Sequence, residues 1–388
     1  MQLSYYLLRN SEKSTVKKNL LSNLATYYNL LKKMKFFKED TKTAFEAISQ
    51  AQQIAFAPIV FQATKALRDL GILKLVEDSG IEGVFLEDVF PKLNLSEYGV
   101  RVLLEAGLGI GLVIKNNNKY TITKTGNFIL NDKMTRVNFD FTNDVCYEGM
   151  FTLTDSIKQG KPTGLKALGN WPTVYEGLST MKQPAQNSWF SFDHYYSDGS
   201  FDSALKQLFI RKPKHILDIG GNTGKFTMKC LQYNDEVKMT ILDLPQQLEM
   251  AKENIDKANF TDRVNYFPIN ILDDSNRFPK GADAIWMSQF LDCFSEDEIV
   301  SILKRCHEAL DENGYVYIME TFWDRQKFEP GAFSLQMTSL YFTNIANGNS
   351  QMYDSNVFNK LIEKAGFTVI EQIDNIGISH TVQVCKKK

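Results

Sequence analysis

From Lys214 onward the apolar positions alternate between short continuous runs and runs at helical spacing. KHILDIG, VKMTILDL, RVNYFPIN, ADAIWM and YVYIMETF read as strands, because a strand covered on both faces needs no polar alternation. Between them, KFTMKCLQY, PQQLEMAKENIDKA and EDEIVSILKRCHEAL carry apolar residues three or four apart, the mark of amphipathic helices. VFNKLIEKAG adds a last helix, and FTVIEQID with HTVQVCKK closes as a strand pair. Strands alternating with helices predict an α/β protein with a parallel, doubly wound sheet and an antiparallel edge.

Upstream the rhythm differs. In IAFAPIVFQATKALRDLGILKLV, residues Ile59, Val60, Ala63, Leu67 and Leu70 share a helical face, and Gly71 offers a stop. A short helix near Leu86–Leu93 and another over Ser96–Ala106 follow. GLVIKNNNKYTITKTG then alternates around an Asn-rich turn as a hairpin. Three helices and a hairpin make a winged-helix pattern. Residues 136–212 read as mostly helical and aromatic. Residues 1–45 are polar and Lys-rich, with Leu20, Leu21, Leu24, Tyr27, Tyr28 and Leu31 near helical spacing. That segment is either a solvated arm or one packed on a partner chain. The expected division is a helical arm (1–45), a winged-helix dimerisation domain (46–135), a helical connector lining the substrate pocket (136–212) and an α/β domain (213–388).

Charge decides what the winged helix does. Residues 50–135 hold nine Lys or Arg and nine Asp or Glu, and the whole chain carries a formal net charge of -2. A DNA reader shows a basic face, so packing or dimerisation fits better and no nucleic-acid partner is expected. The five cysteines (146, 230, 293, 306, 385) form no CxxC, and the four histidines are dispersed. Neither a disulfide framework nor a metal site is expected. No apolar run approaches the roughly 20 residues of a membrane span, and MQLSYYLLRNSEKS lacks the apolar core of a leader peptide. The expectation is a cytoplasmic protein without a membrane partner.

The strongest local signal is LDIGGNTG, residues 217–224, between a strand and a helix. Gly220, Gly221 and Gly224 allow a tight turn and close ligand approach. A nicotinamide-type G-x-G-x-x-G would need glycine where Asn222 and Lys225 stand. Asp218 precedes the glycines and could accept a hydrogen bond from a ligand amine. Asp243, with Leu244 beside it, ends the next strand, where a ribose diol is held. No P-loop Lys-Ser/Thr pair is present, which disfavours a nucleoside triphosphate. The ligand that fits is a nucleoside with a cationic amino-acid tail, S-adenosylmethionine.

LDIGGNTG, LDLPQ, GADAIWMSQFLDCFSEDE, GYVYIMET and EKAGF together resemble the plant-type and bacterial small-molecule O-methyltransferases, over roughly residues 50 to 388. That family pairs a winged-helix dimerisation domain with a class I methyltransferase domain. The resemblance implies a cofactor loop of Asp218, Gly220, Gly221 and Gly224, with Asp243 on the ribose. It puts Asn270 and Ile271 at the adenine, Phe294 where the family commonly has Trp, and Ser288 where some members have Lys. It further implies a homodimer held by the N-terminal domain.

The catalytic position departs from the family. Ser295 and Glu298 form a capping box, which fixes the register of the residues before it. Where plant-type members read His-Asp-Trp, with the His as base, this chain reads Asp292, Cys293 and Phe294. An ordinary carboxylate titrates near pH 4 and is a weak base unless burial raises it. Asp292 is therefore a base, an orienter of the acceptor hydroxyl, or a structural cap. Glu320 matches the family's first supporting acid; the second falls on Ser355, beside Asp354. His194, among Trp189, Phe190, Phe192, Tyr195 and Tyr196, is the alternative base. Tyr195, Phe333, Met337 and Tyr341 are the candidate substrate contacts. The expected activity is methyl transfer from S-adenosylmethionine to a hydroxyl of a small aromatic metabolite. The alternatives are a relative that binds the cofactor but hydroxylates or decarboxylates, and a winged-helix DNA-binding regulator.

Overall fold

The computed structural model describes residues 36–388. The helical spacing of Leu20 to Leu31 therefore lies outside the described residues. The chain divides into two compact units, one ending at Gln62 and one running from Ala63 to Lys388. In the first, α1 (Ala44–Ala55) opens on a capping box between Thr43 and Glu46 and buries no residue. The break between the units falls within α2 (Ala57–Asp69).

The second unit begins with the winged-helix elements. These are α3 (Ile72–Asp78), β1 (Val84–Phe85), α4 (Leu86–Val89), α5 (Glu97–Ile110) and the hairpin β2 (Val113–Asn116) and β3 (Lys119–Ile122). The three short strands order β1-β3-β2. Leu67, Ile72, Leu73, Val76, Val100, Leu104 and Tyr120 form their core. The expected apolar face of α2 is only partly used. Thr64 and Leu67 are its buried residues, while Ile59 and Leu70 are exposed.

Six helices follow: α6 (Lys124–Asn131), α7 (Lys133–Phe141), α8 (Leu153–Gln159), α9 (Val174–Gly177), α10 (Ala185–Ser197) and α11 (Phe201–Leu208). The α/β part then runs β4 (His215–Ile219), α12 (Lys225–Tyr233), β5 (Lys238–Asp243), α13 (Pro245–Lys257), β6 (Val264–Pro268) and β7 (Ala282–Ser288). It ends with α14 (Glu296–Ala309), β8 (Leu310–Glu320), α15 (Glu329–Tyr341), α16 (Ser355–Lys364), β9 (Phe367–Ile376) and β10 (His380–Lys387).

The seven strands order β6-β5-β4-β7-β8-β10-β9. Five are parallel, and β10 pairs antiparallel with both β8 and β9, as the closing strand pair predicts. Period-two alternation splits the core into two layers. Leu217, Ile219, Ile285 and Met287 face α14 and α16, while Ile216, Ala284 and Trp286 face α11, α12 and α13. The chain order reverses between β4 and β7. In open α/β sheets, ligands bind at such a reversal, beyond the strands' carboxyl ends.

Candidate active site

A cleft of about 100 Å³ opens at that reversal. Its walls come from the glycine loop (Gly220, Gly221, Asn222), the end of β7 (Trp286, Ser288, Gln289) and α10 (Asp193, His194, Ser197). The loop is shaped by its residues. Gly220, Asn222 and Gly224 adopt positive φ of 73°, 50° and 76°, which glycine tolerates freely and asparagine better than most. A Cβ at Gly220 would stand 2.2 Å from the Phe290 ring. That closeness ties the glycine loop to the turn carrying Asp292.

Asp218 lines the cleft, is buried, and accepts a 2.6 Å hydrogen bond from Thr227 Oγ1. Burial pushes its pKa up to about 7. Asp243 accepts from the backbone N–H of Asn222 at 2.8 Å and of Leu244 at 2.7 Å, so it braces the loop. Burial raises its pKa too. Asn270 stands exposed after β6, accepting from Leu272 N. Ile271 packs against the cluster that includes buried Phe294.

The turn after β7 is held from two directions. Gln289, at a strained φ of 46°, donates its N–H to the Met319 carbonyl. Glu320 Oε1 accepts from Phe290 N at 3.0 Å and Leu291 N at 2.8 Å. Asp292 is buried beside Cys293, whose Sγ lies 3.5 Å from Asp292 Oδ1. Burial, reinforced by the charge of Asp193, holds its pKa well above the usual carboxylate range. Burial and the Asp292 charge likewise raise Glu320. The expected capping box at Ser295 and Glu298 is present. The family's second acid has no counterpart here: Asp354 caps α16, and Ser355 bonds to buried Asp324.

The structure separates the candidate substrate contacts. Tyr341 is buried, accepts from Trp189 Nε1 at 2.8 Å, and shares a cluster with Phe141, Phe192 and Cys293. Tyr195 instead lies outside the cleft lining, beneath the Lys133 ammonium at the start of α7. Phe333 and Met337 are exposed, while Ala332 and Tyr341 are the buried residues of α15. Sequence reasoning missed Asp193, Lys225, Trp286 and Gln289. Trp286 stacks on Phe226 at 4.1 Å. Its indole N–H and the Gln289 side-chain carbonyl are buried without a hydrogen-bond partner. Unpaired polar atoms in the wall of a cleft suit a polar ligand. Among the described residues, no group of His, Cys, Asp and Glu could hold a metal ion.

A glycine loop and a strand-end acid at the reversal of a doubly wound sheet define a nucleoside-binding α/β enzyme of the methyltransferase class. Residues 152–368 match the O-methyltransferase domain family, and residues 49–120 match the Dimerisation2-like domain. The chain belongs to the O-methyltransferase family and uses S-adenosylmethionine. It is 23% identical to an L-tyrosine C(3)-methyltransferase of Streptomyces lavendulae, over 84% of this chain and 88% of that protein. It is 24% identical to O-methyltransferase 4 of Dictyostelium discoideum, over 75% and 82% of the two chains. Its fold matches an S-adenosylmethionine-dependent methyltransferase, SibL, with TM-score 0.68 and 20% identity over 88% and 99% of the chains. An O-methyltransferase from neocarzinostatin biosynthesis, in complex with S-adenosylmethionine and a naphthoic acid, matches with TM-score 0.61 and 17% identity, over 86% and 96%.

Proposed function

We propose that Asp292 receives or orients the hydroxyl proton of a small aromatic acceptor while that oxygen takes the methyl group. The observation that carries this is a buried carboxylate, in the turn that follows Ser288 and Gln289 of the cleft wall, at the position where plant-type members have histidine. Its raised pKa makes it a better base near neutrality than an exposed carboxylate. The cofactor supplies an activated methyl on a sulfonium. The chain's part is to align the acceptor oxygen with it and exclude water. Asp218 and the glycine loop, which line the cleft, suit the amino-acid tail, and Asp243, which braces that loop without lining the cleft, suits the ribose diol. The aromatic cluster of Phe141, Trp189, Phe192 and Tyr341, which packs with Cys293, suits the acceptor side as an apolar surrounding.

A second reading is methyl transfer to an aromatic carbon. The relative from Streptomyces lavendulae, which spans most of this chain, is named for that reaction on tyrosine. A carboxylate that takes a phenol proton makes the ring carbon nucleophilic as well as the oxygen. We further propose a cytoplasmic homodimer, supported by the Dimerisation2-like match. Among the described residues, no helix is long and apolar enough to cross a membrane.

The test is calorimetric titration with S-adenosylmethionine, then assay of labelled methyl transfer to simple phenols, with NMR of the product. Binding and an O-methyl product support the first reading, and a ring-methyl product supports the second. No binding of S-adenosylmethionine or S-adenosylhomocysteine overturns both.

A further inference from the structure

Positive groups meet where α12 begins. Gly224, at positive φ, opens the helix and has no side chain to cap it, so the N–H groups of the first turn have no acceptor within the helix. Lys225 is the first residue of α12 and, among the described residues, the only lysine or arginine lining the cofactor cleft. Phe226, the second residue, stacks on Trp286 with ring centroids 4.1 Å apart. That contact sets the indole against the start of the helix. The Trp286 side chain is wholly buried in the wall of the same cleft, and its N–H has no hydrogen-bond partner. An ammonium, a helix N-terminus and an unpaired N–H donor all favour an anion there.

The ammonium already holds one. Lys225 Nζ lies 3.0 Å from Asp198 Oδ2 and 3.3 Å from Oδ1. Asp198 follows α10 directly and lines the cleft, so this ion pair joins two elements of the cleft wall. The two side chains are 39% and 47% exposed. A pair so open to water contributes little to stability and gives way readily to a better-held anion. Asp193, Asp198 and Asp218 all line the cleft. An amino acid entering as a zwitterion finds carboxylates there for its ammonium, and the start of α12 for its own carboxylate.

We propose that Lys225 exchanges Asp198 for the carboxylate of the cofactor's amino-acid tail, with the first turn of α12 and the Trp286 N–H as further donors. This rests on the reading of the cleft as the S-adenosylmethionine site. Asp198 is then a competitor: it occupies the lysine and is displaced by the tail. The sulfonium lies between the tail and the nucleoside in the cofactor's covalent structure. Anchoring the tail at α12 therefore fixes one end of the group that must be aligned for methyl transfer.

Two ligands isolate the tail. S-adenosylhomocysteine carries it, and 5′-methylthioadenosine keeps the nucleoside and the thioether sulfur without it. Calorimetric titration compares their affinities. In Lys225→Gln, S-adenosylhomocysteine should bind roughly tenfold or more weakly, while 5′-methylthioadenosine stays within about twofold of wild type. Lys225→Arg keeps the charge and should recover most of the loss. Asp198→Asn leaves the lysine without its competitor and should tighten S-adenosylhomocysteine by about threefold. A Lys225→Gln variant that keeps its S-adenosylhomocysteine affinity, or loses both ligands alike, overturns the proposal. So does an Asp198→Asn variant that binds S-adenosylhomocysteine no more tightly than wild type, since the ion pair would then build the cleft rather than compete for it. A wild-type protein that binds neither ligand instead overturns the cofactor reading.

Discussion

At the scale of single residues, charge and burial set the chemistry. Glu320 holds the Asp292 turn by accepting two backbone hydrogen bonds on one oxygen. Glu320→Gln keeps an amide oxygen for both donors, so little stability is lost. Glu320→Ala leaves both N–H groups unpaired, at a cost on the order of 2–4 kcal/mol. Urea unfolding of the two variants checks this; equal losses would contradict the hydrogen-bond account. His380 gives a prediction in pH. It is fully buried, its Nδ1 is 2.8 Å from Ser200 Oγ, and burial lowers its pKa from 6.5 to about 4. The folded state therefore favours the neutral ring. The unfolded chain gains a proton as pH falls below 6.5, while the folded protein gains none until about 4. This contribution is fully present above pH 6.5 and is lost as pH falls toward 4, for a total of about 3 kcal/mol. His380→Gln removes that slope from the stability profile between pH 6.5 and 4, measured by urea midpoints. A slope identical to wild type would show that other groups produce it.

Elements carry the next level, and the glycine loop is where sequence and structure agree best. Gly220 has positive φ, and its missing Cβ leaves room for the Phe290 ring. Gly220→Ala adds roughly 1–2 kcal/mol of backbone strain and pushes that ring and its turn away from the loop. S-adenosylmethionine affinity should fall more than about tenfold, read by calorimetry; unchanged affinity would show that loop and turn are independent. Gly109, on the exposed side of α5, has an ordinary φ and nothing within 4 Å of an added Cβ. Gly109→Ala should stabilise the protein by roughly 0.5–1 kcal/mol, and a lower urea midpoint would refute this. The same contrast explains what was legible. Glycine runs, strand-end acids and the Ser295–Glu298 cap are local signals, and each stands where the sequence puts it. The helices around the acceptor side are not local. α15 is apolar on several faces, so Phe333, Met337 and Tyr341 look alike until packing buries only Tyr341. On α10, Asp193 and His194 are adjacent and both reach the cleft. Sequence reasoning picked the histidine because the family's base is a histidine and this one stands among aromatic residues. Nothing local in the sequence marks Asp193 as part of the cleft wall.

For the whole molecule the open question is assembly, and the N-terminal unit supplies the argument. Along α1 and the start of α2, Phe45, Ile48, Ile54 and Ile59 are exposed, and α1 buries none of its residues. A lone apolar residue at the surface is ordinary, but a helix whose apolar side chains are all bare suits a partner. The Dimerisation2-like match begins at residue 49, inside that helix. A second copy of the chain covers such a face symmetrically, so each substitution there acts twice. Burying one isoleucine side chain contributes roughly 1.5–3 kcal/mol. Ile54→Glu should then weaken a symmetric dimer by roughly 3–6 kcal/mol. Light scattering on the wild-type protein should give twice the chain mass of 44.3 kDa, and the Ile54→Glu variant should shift toward the single-chain mass at micromolar concentration. The cofactor cleft is lined by residues 193–289, all in the second unit. S-adenosylmethionine binding should therefore survive in the dissociated variant. A single-chain mass for the wild type would mean that this apolar face serves something other than a second copy. A variant that stays dimeric would place the interface elsewhere in the chain.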